Sequence, residues 1–331
     1  MGEQTPSKVW KSLAVGVVAA TGLAMAAPAT AGVPESEDPL TFTLNDWGTQ
    51  KINSYIMGTI LEKMGYNIEY QSADYIAQFQ GIKSGDLTVA MEIWETTAKE
   101  NFEDAISSGK AVDLGSIGVR AIEEWWYPDY VEEKCPGLPD WKALRDCAEV
   151  FASPQTYPKG RYLGGPVTWE GRDPERVEAL DLPFKVIHAG TNAALQAEIQ
   201  SAIQRKEPIV AWVYQPHWLP AKYDGKWIEF PEYTEACYND PEWGPNPDKK
   251  YDCGKPRGWI KAIGWSGGTD KWPTAYEAIK NFELSTEEVG SLAGEVGLEG
   301  REAQAVAEEW VANNKDVWSE WVADAKDATS N

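Results

Sequence analysis

The sequence predicts an α/β fold with a largely parallel sheet, and three features predict it. Strand and helix signals alternate over 41–94. A helical stretch over 193–203 runs into the apolar segment 208–213, and 260–263 reads as a strand that returns after a long irregular excursion. Strand–helix–strand units of this kind join parallel neighbours through right-handed crossovers.

Residues 1–31 stand apart from that pattern. Lys8 and Lys11 precede an apolar run over 13–27, and Ala29-Thr30-Ala31 supplies the small-x-small motif of signal-peptidase cleavage. We expect a signal peptide cleaved near Ala31 and export of the remainder; the run is short for a membrane span.

The first strand is 41–44. Ile52, Tyr55, Ile56, Ile60, Leu61 and Met64 then repeat at helical spacing up to Gly65. A second strand at 66–70, a second helix at 75–83 and a third strand at 87–94 follow, the last after the Ser84-Gly85-Asp86 turn. Residues 117–121 form a fourth strand candidate. Over 223–256 Pro, Asp, Asn and Gly break the pattern, and an excursion with little regular structure is expected. The segments 274–282, 286–294 and 301–326 are helical, with Trp310, Trp318 and Trp321 suited to docking those helices.

The chain has 331 residues, 43% of them hydrophobic and 25% charged, enough for a sizeable core. Its 52 Asp and Glu against 30 Lys and Arg give a formal charge of −22, which disfavours nucleic acid as a partner. Cys135, Cys147, Cys237 and Cys253 are an even set in an exported chain, so disulfides are expected. Three pairings are open; the local one, Cys135 with Cys147 and Cys237 with Cys253, closes two short loops. Asn239, Asp240, Asp248 and Asp252 offer hard oxygen atoms for a calcium ion, but their spacing is not that of an EF-hand and a plain solvated loop is the favoured reading; no other cofactor is indicated.

The composition holds 17 Trp and 14 Tyr beside 2 His, many electron-rich rings and few neutral-pH bases. Their positions matter more. Trp47 follows the first strand, Trp94 ends the third, Trp125 and Trp126 follow the fourth, and Tyr214 follows 208–213. Open α/β sheets bind ligands outside the carboxyl ends of their strands, so these rings are placed to converge. Ring faces attract quaternary ammonium by roughly 0.5–2 kcal/mol each, and a methylated ammonium offers no N–H to any competing acceptor.

Residues 61–66 (Leu-Glu-Lys-Met-Gly-Tyr), the Ser84-Gly85-Asp86 turn, Glu92-Ile93-Trp94, Trp126-Tyr127-Pro128-Asp129-Tyr130 and Val213-Tyr214-Gln215-Pro216-His217-Trp218 occur in an order that resembles periplasmic substrate-binding proteins of ABC importers for glycine betaine, choline and related methylamines. The resemblance spans nearly the whole mature chain. It implies a two-lobed periplasmic-binding-protein fold with the ligand cleft between the lobes: 32–120 with 258–331 as lobe one and 121–257 as lobe two. It implies a cage in which Trp94 and Trp169 match two family tryptophans, Tyr214 stands at a third, and Trp47 and Trp125 or Trp126 add further walls. Ala98 and Glu170 stand where some betaine binders hold the ligand carboxylate. Together with Glu123 and Glu124, of which Glu124 is preferred because it adjoins the Trp pair, Glu170 makes the expected cleft acidic. The pattern is most similar to the trimethylamine N-oxide branch, with glycine betaine or choline as the alternative ligand. A monomer serving a membrane permease is implied.

The same residues bear on an enzymatic reading. Gly264-Trp265-Ser266-Gly267-Gly268 fits G-x-S-x-G, but a hydrolase of that fold needs a His after its Ser, and His188 and His217 both precede it. No phosphate loop or H-E-x-x-H motif occurs. A secreted hydrolase or carbohydrate-active enzyme that uses the aromatics as sugar platforms is the rival from a different class.

Overall fold

The structure, a computed structural model, describes residues 32–330 together with Gly2; the expected signal peptide and its cleavage point lie outside the described residues. The chain opens with β1 (Leu40–Leu44), α1 (Gly48–Met64), β2 (Ile68–Ser72), α2 (Gln78–Ser84), β3 (Val89–Trp94), α3 (Glu95–Ser107) and β4 (Ala111–Arg120). It continues through β5 (Ile122–Pro128), α4 (Ala143–Cys147), β6 (Gly160–Gly164), α5 (Asp173–Ala179), β7 (Phe184–His188), α6 (Asn192–Arg205), β8 (Val210–Gln215), α7 (Leu219–Lys222), β9 (Gly225–Trp227) and α8 (Glu235–Asn239). The last part is β10 (Trp259–Trp265), α9 (Gly268–Lys271), α10 (Pro273–Lys280), α11 (Thr286–Gly297), α12 (Ala303–Asn313) and α13 (Lys315–Thr329).

The strands form two sheets, β2-β1-β3-β10-β4 and β7-β6-β8-β5-β9. In the first, β1 runs parallel to β2 and β3; in the second, β6 runs parallel to β7 and β8. Both sheets are mixed, a departure from the parallel expectation, because β10 pairs antiparallel with β3 and β4, and β5 pairs antiparallel with β8 and β9. The chain leaves the first sheet at Ala121, whose N–H donates to the Gly258 carbonyl at 3.0 Å, so the outgoing and returning segments are bonded where they cross.

Helix α1 buries Ile52, Ile56, Met57, Ile60 and Leu61 completely, as its 3.6-residue spacing requires, and stops at Gly65, whose φ of 100° only glycine takes without strain. The single helix expected over 301–326 breaks at Asn314 into α12 and α13, and Trp310 stacks on Trp321 across that break.

Both local disulfides are present, Cys135–Cys147 with Cα atoms 5.4 Å apart and Cys237–Cys253 with 6.3 Å. Asn239, Asp240, Asp248 and Asp252 lie within the loop closed by Cys237–Cys253. Among the described residues no three His, Cys, Asp or Glu side chains converge on a metal position. Asp252 is turned inward and accepts the Asn246 N–H at 3.0 Å, while Asp240 accepts the Glu242 N–H at 3.0 Å, so each carboxylate shapes its own turn.

Candidate aromatic binding site

Four rings meet where the two sheets face each other. Trp47 follows β1, Trp94 ends β3, Trp169 follows β6 and Tyr214 lies near the end of β8, so all four sit at carboxyl ends of strands that run parallel within their own sheet. Trp47 stands 5.7 Å from Trp169 at 76°, Trp169 6.1 Å from Tyr214 at 84°, and Tyr214 5.6 Å from Trp94 at 87°. Rings at near right angles act as walls. With Tyr75, Thr97 and Glu123 they line one small pocket.

Each wall is held from behind. Trp47 donates its indole N–H to Glu92 Oε2 at 2.7 Å, and Thr49 and Asn53 donate to the same carboxylate at 2.9 and 2.6 Å. Glu92 has a left-handed φ of 58° inside β3, beside a register shift of the β10 pairing, and this irregularity in the ladder accompanies its inward burial. Burial pushes its carboxyl up to about 7, against the hydrogen bonds that favour the ionised form. The Trp94 backbone N–H donates to the Tyr75 hydroxyl at 2.8 Å. Trp169 packs on Gly165 and is followed by Glu170 and Gly171; a Cβ at 171 would strike the Trp212 ring, so only glycine lets this loop close over that indole.

Trp125, Trp126 and Glu124, expected at the cleft, are placed elsewhere. They belong to β5, which runs antiparallel to β8, so its carboxyl end points away from the cleft and the strand-end rule does not carry over to it. Trp125 is fully buried, stacks on Tyr162 at 3.8 Å and donates its N–H to Asp173; Trp126 is equally enclosed. Glu124 is fully engaged. Arg176 donates to its Oε1 at 2.5 Å, as does the Trp125 backbone N–H, and the Lys255 N–H donates to its Oε2.

The carboxylate at the pocket is Glu123, which β-pairing sets opposite Tyr214. It accepts a short hydrogen bond from the Thr96 hydroxyl of the facing lobe. Burial pushes its carboxyl up, while the Lys255 ammonium and Thr96 hold part of that rise back. The Lys255 amine lies 3.2 Å from the Trp212 ring centre, without a hydrogen-bond partner among the described residues. Glu170 is exposed and lines a neighbouring groove that shares Thr97 with the pocket.

A larger open cavity beside β9 mixes Glu124, Lys226, Glu229 and Arg257 with scattered aromatics and lacks any comparable convergence of rings.

With this geometry in view, comparison with known proteins is specific. Residues 38–313 match the substrate binding domain of ABC-type glycine betaine transport systems. The chain belongs to that family. It is therefore a substrate-binding protein of the glycine betaine, choline and trimethylamine N-oxide class of ABC importer, not an enzyme. A trimethylamine N-oxide-binding protein of Pelagibacter ubique (strain HTCC1062) is 34% identical over 318 residues, covering 93% of this chain and 96% of that protein. The glycine betaine, L-proline-binding protein ProX of Borrelia burgdorferi shares the fold at TM-score 0.68 and 21% identity, covering 86% of this chain and 96% of that one. A choline-binding protein in complex with choline shares it at TM-score 0.69 and 16% identity, covering 89% and 99%. Among the described residues of this family member no helix is long and apolar enough to cross a membrane.

The sequence signals missed Tyr75, Thr97 and Glu92 as parts of the site. Tyr75 looked like an ordinary helix-face residue. Glu92 was visible only as part of Glu-Ile-Trp, and nothing in a linear pattern announces a left-handed residue inside a strand.

Proposed function

We propose that the pocket captures trimethylamine N-oxide through cation–π contacts with Trp47, Trp94, Trp169 and Tyr214. The observation that carries the reading is the run of near-perpendicular rings around one pocket, with Glu123 the single carboxyl lining it among the described residues. The methylated nitrogen suits the rings, each worth roughly 0.5–2 kcal/mol when desolvated. The N-oxide oxygen needs one donor, and Glu123, pushed toward its neutral form by burial, supplies a carboxyl proton. Glycine betaine would bring a full carboxylate with two oxygens to a lining that offers one carboxyl proton and, among the described residues, includes no Lys, Arg or His to neutralise it. The Pelagibacter relative is a trimethylamine N-oxide-binding protein, which agrees with this ligand.

In the same reading the segment 1–31 directs export to the periplasm, lobes 32–120 with 258–331 and 121–257 close on the ligand, and the loaded monomer delivers it to a membrane permease. Side-by-side calorimetry of trimethylamine N-oxide, glycine betaine, choline and carnitine tests the ligand. The N-oxide is expected to bind at least about tenfold tighter than glycine betaine, roughly 1.4 kcal/mol. Equal or tighter betaine binding returns the protein to the general betaine class.

A further inference from the structure

The box takes two walls from each lobe, so the walls of the second must be held in register with those of the first when the cleft is shut. Asp46 stands at that joint. It lies in the β1–α1 turn next to Trp47, and its exposed side chain reaches across the cleft. Oδ1 accepts the indole N–H of Trp169 at 3.3 Å, and Oδ2 accepts the backbone N–H of Asn192 at 3.1 Å. Asn192 opens the 14-residue helix α6, where first-turn N–H groups lack partners within the helix and the dipole favours an anion. Thr191 already caps Ala194, which leaves the Asn192 N–H for Asp46. The side chain of Asn192 in turn accepts the Tyr214 hydroxyl at 3.3 Å. One carboxylate of the first lobe thus holds both second-lobe walls, Trp169 directly and Tyr214 through Asn192.

We infer that Asp46 is a positioning residue that latches the closed box, an inference that rests on reading the four rings as the ligand cage. With the lobes apart the carboxylate and both N–H groups are hydrated, so the bonds are exchanged with water at little cost and the latch is reversible. They form only when Trp169 and α6 have swung into place. Escape of the ligand requires breaking them, whereas encounter does not, so Asp46 acts on dissociation.

Stopped-flow tryptophan fluorescence with trimethylamine N-oxide, in the wild type, Asp46→Ala and Asp46→Asn, reads this directly. Asp46→Ala is expected to raise the dissociation rate about tenfold with association within about twofold. Asp46→Asn keeps an acceptor for one N–H and falls between. Interlobe distances from paired spin labels, recorded without ligand and with trimethylamine N-oxide, give a second readout that does not depend on ligand identity. Asp46→Ala is expected to lengthen them while the urea midpoint of the ligand-free protein stays in place. An unchanged distance distribution, or an unchanged dissociation rate, overturns the latch. If the wild type binds no methylamine and Asp46→Ala still lengthens the distances, the ligand reading fails and the latch stands.

Discussion

Tryptophan clusters twice in this molecule, and the two clusters use the same ring differently. At the cleft Trp47, Trp94 and Trp169 meet their ring neighbours at 76–87° and leave a pocket between them. Inside the second sheet Trp125 lies on Tyr162 at 12°, with Phe184 and Phe230 closing on its edges. Stacked rings consume the space that perpendicular rings enclose. The charges differ in the same way: Glu123 faces the pocket with a hydroxyl as its hydrogen-bond partner, while its neighbour Glu124 is tied to Arg176 and two backbone N–H groups. A binding site is recognised here by what its side chains leave unfilled, and not by their type.

The sharpest way to break that contrast is to truncate a ring in each cluster. Trp125→Ala removes a fully enclosed indole and the donor to Asp173, so unfolding in urea is expected to show a loss of about 3–5 kcal/mol. Ligand affinity of the folded fraction should hold. Affinity that collapses while stability survives would move Trp125 back to the cage.

Glu124 offers the next test. Glu124→Gln removes the nearer charged partner of the buried Arg176 guanidinium and leaves Asp173 at 3.8 Å, and about 2 kcal/mol of stability should go, read from the same denaturation curves. Calorimetry should find the ligand affinity little changed. A large affinity loss at unchanged stability would restore Glu124 to the site.

At the cleft the order reverses. Trp94→Ala and Trp169→Ala should each weaken trimethylamine N-oxide binding by about 1–2 kcal/mol, one desolvated cation–π contact, when titrated by calorimetry. Wild-type affinity in both variants would empty the cage of its meaning.

How much of this was legible beforehand follows from strand direction. The first-lobe alternation from β1 to β3 was readable because apolar period and turn residues agree there, and Trp47 and Trp94 came with it. Helix α3 was not readable: it buries only Thr96, Ala98, Phe102 and Ala105, a face too polar and sparse to show as a stripe. The β5 residues were misplaced because Ile-Glu-Glu-Trp-Trp-Tyr-Pro, central in its sheet and buried along most of its length, carries no alternation, and nothing local reveals that the strand runs backwards. Glu123 rather than Glu124 meets the cleft because antiparallel pairing with Tyr214 sets the register, a long-range fact.

The last expected effect concerns the group that holds Trp47. Glu92 is wholly buried, and its folded pKa is raised from 4.5 to about 7, chiefly by loss of hydration, with donors from Trp47, Thr49 and Asn53 opposing the rise. Between those two values the folded protein keeps a proton that the unfolded chain has released. The folded state then binds more protons, so stability falls as pH rises through the window and levels off above it. The contribution is full below the unfolded value and is lost through the folded one. Glu123, also raised by burial, titrates in the same sense, so Glu92→Gln should flatten only part of the slope. Calorimetric melting of the wild type and Glu92→Gln across pH 4.5 to 8 measures the difference, with the limits of the scan set by the Glu92 shift. A slope that Glu92→Gln leaves untouched would assign the titration to the remaining shifted groups, Glu123 and Asp252 raised by burial and His217 lowered by it to about 3, the last acting in the opposite sense.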